Sequence, residues 1–139
     1  MKYLFIVVLA LLFVSCSEEQ VKEKKESIKI ETKEDLIKVK NGIYTEYHPG
    51  TQQKGIKFRG PQDKNNERHG IWYYYNTYGI QVSMTEYNHG IKNGVTMVKY
   101  DTGIIRYTGE YSDNEQIGVW KTYDSTGVLL HEKDFSFLR

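Results

Sequence analysis

GIWYYYNTYGIQVSMTEY, residues 70–87, decides the fold of this chain. β-branched and aromatic residues dominate both halves of the stretch, and such residues favour the pleated surface of a sheet. Between the halves stands Asn76-Thr77-Tyr78-Gly79, a pattern typical of a type I turn closed by a glycine in the left-handed conformation. The stretch therefore predicts a β-hairpin in which the aromatic Tyr87 follows eight residues after Gly79.

The same spacing from glycine to aromatic ring occurs four times along the chain. The pairs are Gly50 and Phe58, Gly79 and Tyr87, Gly103 and Tyr111, and Gly127 and Phe135. A second series of glycines, expected to open the strands, consists of Gly42, Gly70, Gly94 and Gly118 and has a period of 24 residues from Gly70 onward. Self-similarity at a fixed period indicates stacked repeats. We therefore predict an all-β fold, a single-layer antiparallel β-meander of about four hairpin units.

Most conspicuous rings fall into the register of the repeat, so their predicted role is structural. This set comprises Phe58, Trp72, Tyr75, Tyr87, Tyr111, Trp120, Tyr123 and Phe135. The third unit departs from the pattern, with Thr96 where two other units have tryptophan. The first unit carries a five-residue insertion within the polar stretch from Gly60 to His69, for which a surface loop and a recognition loop both remain open.

The N-terminus predicts export. Lys2 precedes an apolar run from Tyr3 to Val14, which is short for a membrane span and fits a signal peptide. We assign residues 1–15 to the signal peptide, residues 16–35 to a charged tether without aromatic rings, and residues 36–139 to the repeat domain. Loss of Lys2 leaves 18 basic and 18 acidic residues, and this neutral balance argues against a nucleic-acid partner.

Phe13-Val14-Ser15-Cys16 resembles the lipobox of bacterial lipoproteins. The resemblance implies cleavage before Cys16, a diacylglycerol on its thiol and an acyl chain on its amine, which together anchor a protein stably in a membrane. The following Ser17-Glu18-Glu19 looks like an outer-membrane address and is similar to the export tags of surface lipoproteins in Bacteroidetes-type bacteria. We expect an outer-membrane lipoprotein of the cell envelope, with the periplasmic and the surface-exposed leaflet both open.

Residues 70–87 and 118–135 resemble the variant MORN repeat of bacterial proteins described as YwqK-like antitoxins. The resemblance covers about residues 42–135 and implies a twisted meander whose rings stack from unit to unit. Members of this family are described as antitoxins, scaffolds and membrane-recognition modules. For function the resemblance therefore favours an immunity-like or antitoxin-like role, and it leaves a structural envelope lipoprotein that contacts membrane lipid or cell-wall glycan as an alternative.

Rings on both faces of an uncovered sheet suit a protein partner, because tyrosine and tryptophan are enriched at binding hot spots. We predict a docking face centred on Tyr73, Tyr74, Met84 and Met97. Arg68 and His69, in the insertion, are further candidates for partner contact.

The sequence offers little for an enzyme. The four histidines occupy different places in the repeat, and none of the familiar spacings of metal ligands occurs, so we expect no metal site and no cofactor beyond the lipid on Cys16. The acids Glu86, Glu110 and Asp134 recur at one repeat position. Their predicted role is to pair with lysines on a solvated strand face, and a hydrolase that uses them is a remote alternative.

Overall fold

A computed structural model of the chain describes residues 32–50 and 55–136. A short 3₁₀ turn, Glu34–Leu36, precedes the strands of the sheet. The strands found in these residues are β1 (Ile37–Lys40), β2 (Ile43–Tyr47), β3 (Ile56–Pro61), β4 (Gly70–Tyr75), β5 (Gln81–Asn88), β6 (Ile91–Lys99), β7 (Ile105–Ser112), β8 (Glu115–Tyr123) and β9 (Leu129–Asp134). They form one sheet in chain order, and each strand pairs antiparallel with the next. The predicted all-β meander of sequential hairpins is confirmed.

The glycine-closed loops have the predicted geometry. In the loop after β4, the amide of Gly79 donates to the carbonyl of Asn76 at 3.0 Å, and the amide of Asn76 donates to the carbonyl of Ile80 at 3.0 Å. The loops after β6 and β8 repeat both bonds around Gly103 and Gly127. All four loop glycines have positive φ, between 70° and 90°. The turn chemistry is therefore confirmed for the loops closed by Gly79, Gly103 and Gly127.

The second series of glycines follows the prediction only in part: Gly42 directly precedes β2, as expected. Gly70 begins β4, whereas Gly94 and Gly118 lie inside β6 and β8, each three residues after the strand begins. The chain reverses earlier, at the two-residue turns His89-Gly90 and Asp113-Asn114, in which every residue has positive φ. Such turns are the favoured connection between antiparallel strands. In the strands the two glycines hold positive φ, 114° and 61°, next to stretches of irregular pairing.

A row of complementary large and small side chains forms the best-buried part of the sheet. Trp72 and Trp120, 5% and 8% exposed, lie over Gly60 and Gly109 of the preceding strands. Each indole N–H donates to the carbonyl that follows its glycine, Trp72 to Pro61 at 2.7 Å and Trp120 to Glu110 at 3.2 Å.

In the third unit, two threonines occupy the positions that tryptophan and glycine occupy in the units above. Thr96, 3% exposed, pairs across the strands with Thr85, and their hydroxyl oxygens are 2.7 Å apart. The Thr96 hydroxyl also donates to the carbonyl of Met84 at 3.2 Å. The third unit therefore lacks both the tryptophan and the glycine that the tryptophan would cover.

The repeat rings divide between the two faces. On the face of Trp72 the ring contacts are Tyr44 with Trp72 at 5.3 Å, Phe58 with Tyr74 at 4.9 Å, and Tyr107 and Tyr111 with Trp120 at 6.1 and 5.0 Å. We call this side of the sheet the ring face. Tyr75 and Tyr123 pair with Gln81 and Leu129 on the other side. Phe135, after β9, lies under the ammonium of Lys133, 4.4 Å from the ring centroid.

The assigned signal peptide, Cys16 and nearly all of the tether lie outside the described residues. Within residues 32–50 and 55–136, no helix has the length and apolar character needed to cross a bilayer.

Candidate functional site

Three of the residues predicted to bind a partner lie side by side on the sheet. Tyr73 of β4 pairs with Met84 of β5, and Met84 pairs with Met97 of β6. Paired residues of antiparallel strands point to the same face, so the three half-buried side chains form one continuous row. We call this side of the sheet, opposite the ring face, the open face. Apart from the turn Glu34–Leu36, every helix or strand of the described residues belongs to the sheet itself.

Tyr74 does not belong to that row. It pairs with Phe58 and Ser83, and its ring lies against Phe58 on the ring face. Successive residues of a strand point to opposite faces, so Tyr73 and Tyr74 cannot contribute to one flat docking surface. The docking patch grouped from the sequence is corrected accordingly: it keeps Tyr73, Met84 and Met97, and Tyr74 packs on the other side.

A second row on the open face alternates aliphatic and acidic side chains. The cross-strand pairs are Ile71 with Glu86, Val95 with Glu110, and Val119 with Asp134. The three aliphatic residues are 38%, 41% and 44% exposed. The expected pairing of these acids with lysines is therefore wrong, and none of the ion pairs among the described residues includes them. A hydrogen bond from the Ser136 side chain lowers the pKa of Asp134 and keeps this carboxylate charged.

A shallow groove of about 260 Å³ continues the open face towards β2. Its lining combines aliphatic side chains, two phenol rings and a guanidinium, from Ile43, Arg59, Gly60, Pro61, Ile71, Tyr73 and Tyr75. Beyond it, a concavity of about 360 Å³ is bordered by Lys38, Lys40 and Arg59. The open face is thus basic at its β1–β3 end, whereas from β4 to β9 it carries acids together with Lys121, which lies in line with Met97 and Thr108.

Arg68 lies on the ring face, where three rings surround its guanidinium. The guanidinium carbon is 4.6 Å from the ring centroid of Trp72, 5.2 Å from that of Tyr87 and 5.7 Å from that of Phe58. Its Nη1 donates to the Tyr87 hydroxyl at 3.1 Å. Cation–π contacts of this kind stabilise the packing. The structure therefore gives Arg68, a predicted partner contact, a clear role in holding the insertion against the sheet.

The inserted loop also meets the turn between β5 and β6. Asp63 Oδ2 lies 2.5 Å from His89 Nδ1, and Asp63 Oδ1 accepts the amides of Asn65 and Glu67 at 2.8 and 2.9 Å. The hydrogen bond from His89 is the main cause that lowers the pKa of Asp63, followed by the bond from the Glu67 amide. One ligand atom each of Asp63, Glu67 and His89 lies within 4.8 Å of the others, so these residues could hold a metal ion.

His69 joins the same corner of the molecule. Its ring centroid is 4.7 Å from that of His89, at an interplanar angle of 35°. The repeat register places these two histidines at different positions, and the insertion brings them together. The signal that could have found the cluster is topological: in a meander the β3–β4 connection and the β5–β6 turn lie at the same end of the strands. An insertion in one of them can therefore reach the other.

Comparison with known proteins adds no relative. No family model matches the chain. No curated protein and no solved structure matches it either.

Proposed function

We propose that this chain is a non-catalytic, lipid-anchored repeat protein that binds a protein partner through its open face. The observation that carries the proposal is the row of Tyr73, Met84 and Met97 beside the exposed Ile71 and Val95. Tyrosine and methionine are enriched in protein interfaces. A contiguous apolar surface of this kind is typical of an interaction site on a soluble domain.

The acids of the second row favour basic side chains on the part of the partner that meets them, whereas Lys121, in line with Met97, forms an ion pair with Glu132 on the same face. Glu86, Glu110 and Asp134 stand on alternate strands of the open face, so neighbouring carboxylates are about 10 Å apart at the usual strand spacing. Lysine or arginine side chains at the rim of a partner would meet these acids around an apolar centre. Such complementarity favours the correct partner and speeds association.

An immunity-like role fits this arrangement within the proposal. The resemblance of residues 70–87 and 118–135 to YwqK-like antitoxin repeats supports it, and the lipid expected on Cys16 supports a site of action at the envelope. In such a role the open face covers the active site of a toxin domain. A broad sheet of nine paired strands suits this task because preorganised surfaces lose little entropy on binding.

Truncation of the row is expected to weaken capture of the partner. In affinity capture from solubilised membranes, we expect Tyr73→Ala and Met84→Ala each to weaken binding by tenfold or more, since a hot-spot side chain contributes roughly 2 kcal/mol or more. The measurement is the affinity of each purified variant for the partner that the wild type captures.

The matched control is Thr122→Ala, because Thr122 is half-buried like Tyr73 but pairs with Tyr107 on the ring face. Thr122→Ala should bind as the wild type does. Equal affinity of all three variants and the wild type would contradict binding through the open face. Capture of lipid or glycan in place of protein would contradict the class of partner.

Membrane attachment is expected to depend on Cys16. We predict that Cys16→Ala loses incorporation of a fatty-acid probe and leaves the membrane fraction, because the thiol is the attachment point implied by the lipobox. The measurement is fractionation of cells grown with the probe. Ser15→Ala, which keeps a small residue before the cysteine, is the control and should remain attached. A Cys16→Ala protein that still incorporates the probe, or a wild type that does not, would contradict the lipid anchor.

A further inference from the structure

We infer that Asp63, Glu67 and His89 form a binding site for a divalent transition-metal ion, with Zn²⁺ the best match. The site is separate from the open face and does not depend on the proposed partner. Its donors come from two connections that are far apart in the chain, the inserted loop and the turn after β5.

The three ligand atoms need to move only slightly to coordinate one ion. The three candidate ligand atoms lie within 4.8 Å of one another. Ligands of a tetrahedral zinc ion, at about 2.0–2.2 Å from the metal, are roughly 3.4 Å apart. Asp63 Oδ2 and His89 Nδ1, now 2.5 Å apart, need to separate by about 1 Å, and the proton between them passes to solvent. Glu67, an exposed residue on the loop, has the side-chain length to close the remaining distance.

The aspartate is already oriented for this role. Its Oδ1 accepts two backbone amides of the loop, at 2.8 and 2.9 Å, which fixes the carboxylate plane and leaves Oδ2 directed at His89. The side chain of Asp63 is only 7% exposed. Hydrogen bonds that hold a ligand in place raise metal affinity, and their loss commonly lowers it by 10- to 100-fold.

The turn geometry of the repeat does not require a histidine at position 89. His89 occupies the first position of its two-residue turn with φ 46°, and the equivalent turns carry Asn41 and Asp113 with φ 51° and 50°. Among these three turns, only the one beside the insertion has a histidine. The ring of His69 lies against that of His89 and keeps it beside the loop.

The donor set selects the class of ion. One imidazole nitrogen with carboxylate oxygens suits Zn²⁺ and neighbouring transition metals, whereas Ca²⁺ and Mg²⁺ prefer oxygen-only sites. With three protein ligands, the remaining coordination positions are filled by water, as in open zinc sites.

The test is calorimetric titration of the purified full chain with ZnCl₂, and with CaCl₂ and MgCl₂ for comparison. We expect one Zn²⁺ per chain and at least tenfold weaker binding of the other two ions. His89→Asn should lower the Zn²⁺ affinity tenfold or more. Asparagine is the residue at the equivalent turn position 41, so this variant keeps the left-handed backbone.

His131→Asn is the matched control, because His131 is exposed on β9 and belongs to no cluster of the described residues that could hold a metal. It should bind Zn²⁺ as the wild type does, and the circular dichroism of both variants should match that of the wild type. Absence of Zn²⁺ binding by the wild type, or equal affinities of His89→Asn and His131→Asn, would overturn the inference.

Discussion

Gly109→Ala is expected to destabilise the sheet, although the change adds only a methyl group. A Cβ at this position would overlap the ring of Trp120, and the same holds at Gly60 with Trp72. The φ of Gly109 lies outside the positive range, so the conflict is with the ring and not with the backbone. Forcing an extra group into a packed site costs about 1–3 kcal/mol. The measurement is the free energy of unfolding in urea.

The threonine pair of the third unit suggests a second substitution that should remove the destabilisation caused by Gly109→Ala. Because Thr96 faces Thr85 without conflict, Trp120→Thr should create the space that a methyl at 109 needs. In the Trp120→Thr background we expect Gly109→Ala to be neutral or to stabilise by about 0.4–1 kcal/mol, since alanine restricts the unfolded chain more than glycine does. An equal loss in both backgrounds would contradict steric pairing of glycine and tryptophan.

Trp72→Ala should lower the free energy of unfolding more than any other single substitution proposed for this chain. The ring is 5% exposed, contacts Tyr44 and covers Gly60, and it lies under the guanidinium of Arg68. Truncating a buried aromatic side chain costs about 3–5 kcal/mol. The carbonyl of Pro61 also loses the indole donor. We expect a marked drop in thermal midpoint, because 3–5 kcal/mol is a large share of a domain's stability.

Two further variants test whether the loss of stability comes from the buried ring and its hydrogen bond. Trp72→Phe keeps most of the ring and removes the donor, so we expect a smaller loss, with about 1 kcal/mol of it from the hydrogen bond. Tyr78→Ala removes a ring that is 84% exposed and should change stability by less than about 0.5 kcal/mol. A Trp72→Ala protein as stable as Tyr78→Ala would contradict the role of Trp72 in the core.

The loops of the fold could be predicted from local turn chemistry, whereas the packing of glycine under tryptophan could not. Gly79, Gly103 and Gly127 close loops whose hydrogen bonds match the expected turn, because this turn requires positive φ at one fixed position. The roles of Gly60 and Gly109 were not predicted, since neither belongs to the two glycine series. They are twelve and eleven residues before Trp72 and Trp120. A search for glycine one strand before each tryptophan could have found them.

The candidate sites were less predictable for two physical reasons. Alternation along β4 puts Tyr73 and Tyr74 on opposite faces, so a cluster in sequence is not a cluster on the surface. The grouping of Asp63 with His89 depends on the shape of an inserted loop, which the repeat does not specify. Long-range contacts of this kind become visible only when the topology places two connections at the same end of the sheet.

Binding through the open face is tested most directly by photo-crosslinking from two adjacent positions of β5. Met84 points to the open face and Ser83 to the ring face, so a photoreactive residue at each position samples opposite sides at the same place along the sheet. In intact cells we predict a protein adduct from position 84 and none from position 83. An adduct from position 83 alone, or no adduct from either position, would contradict binding of a protein partner through this face.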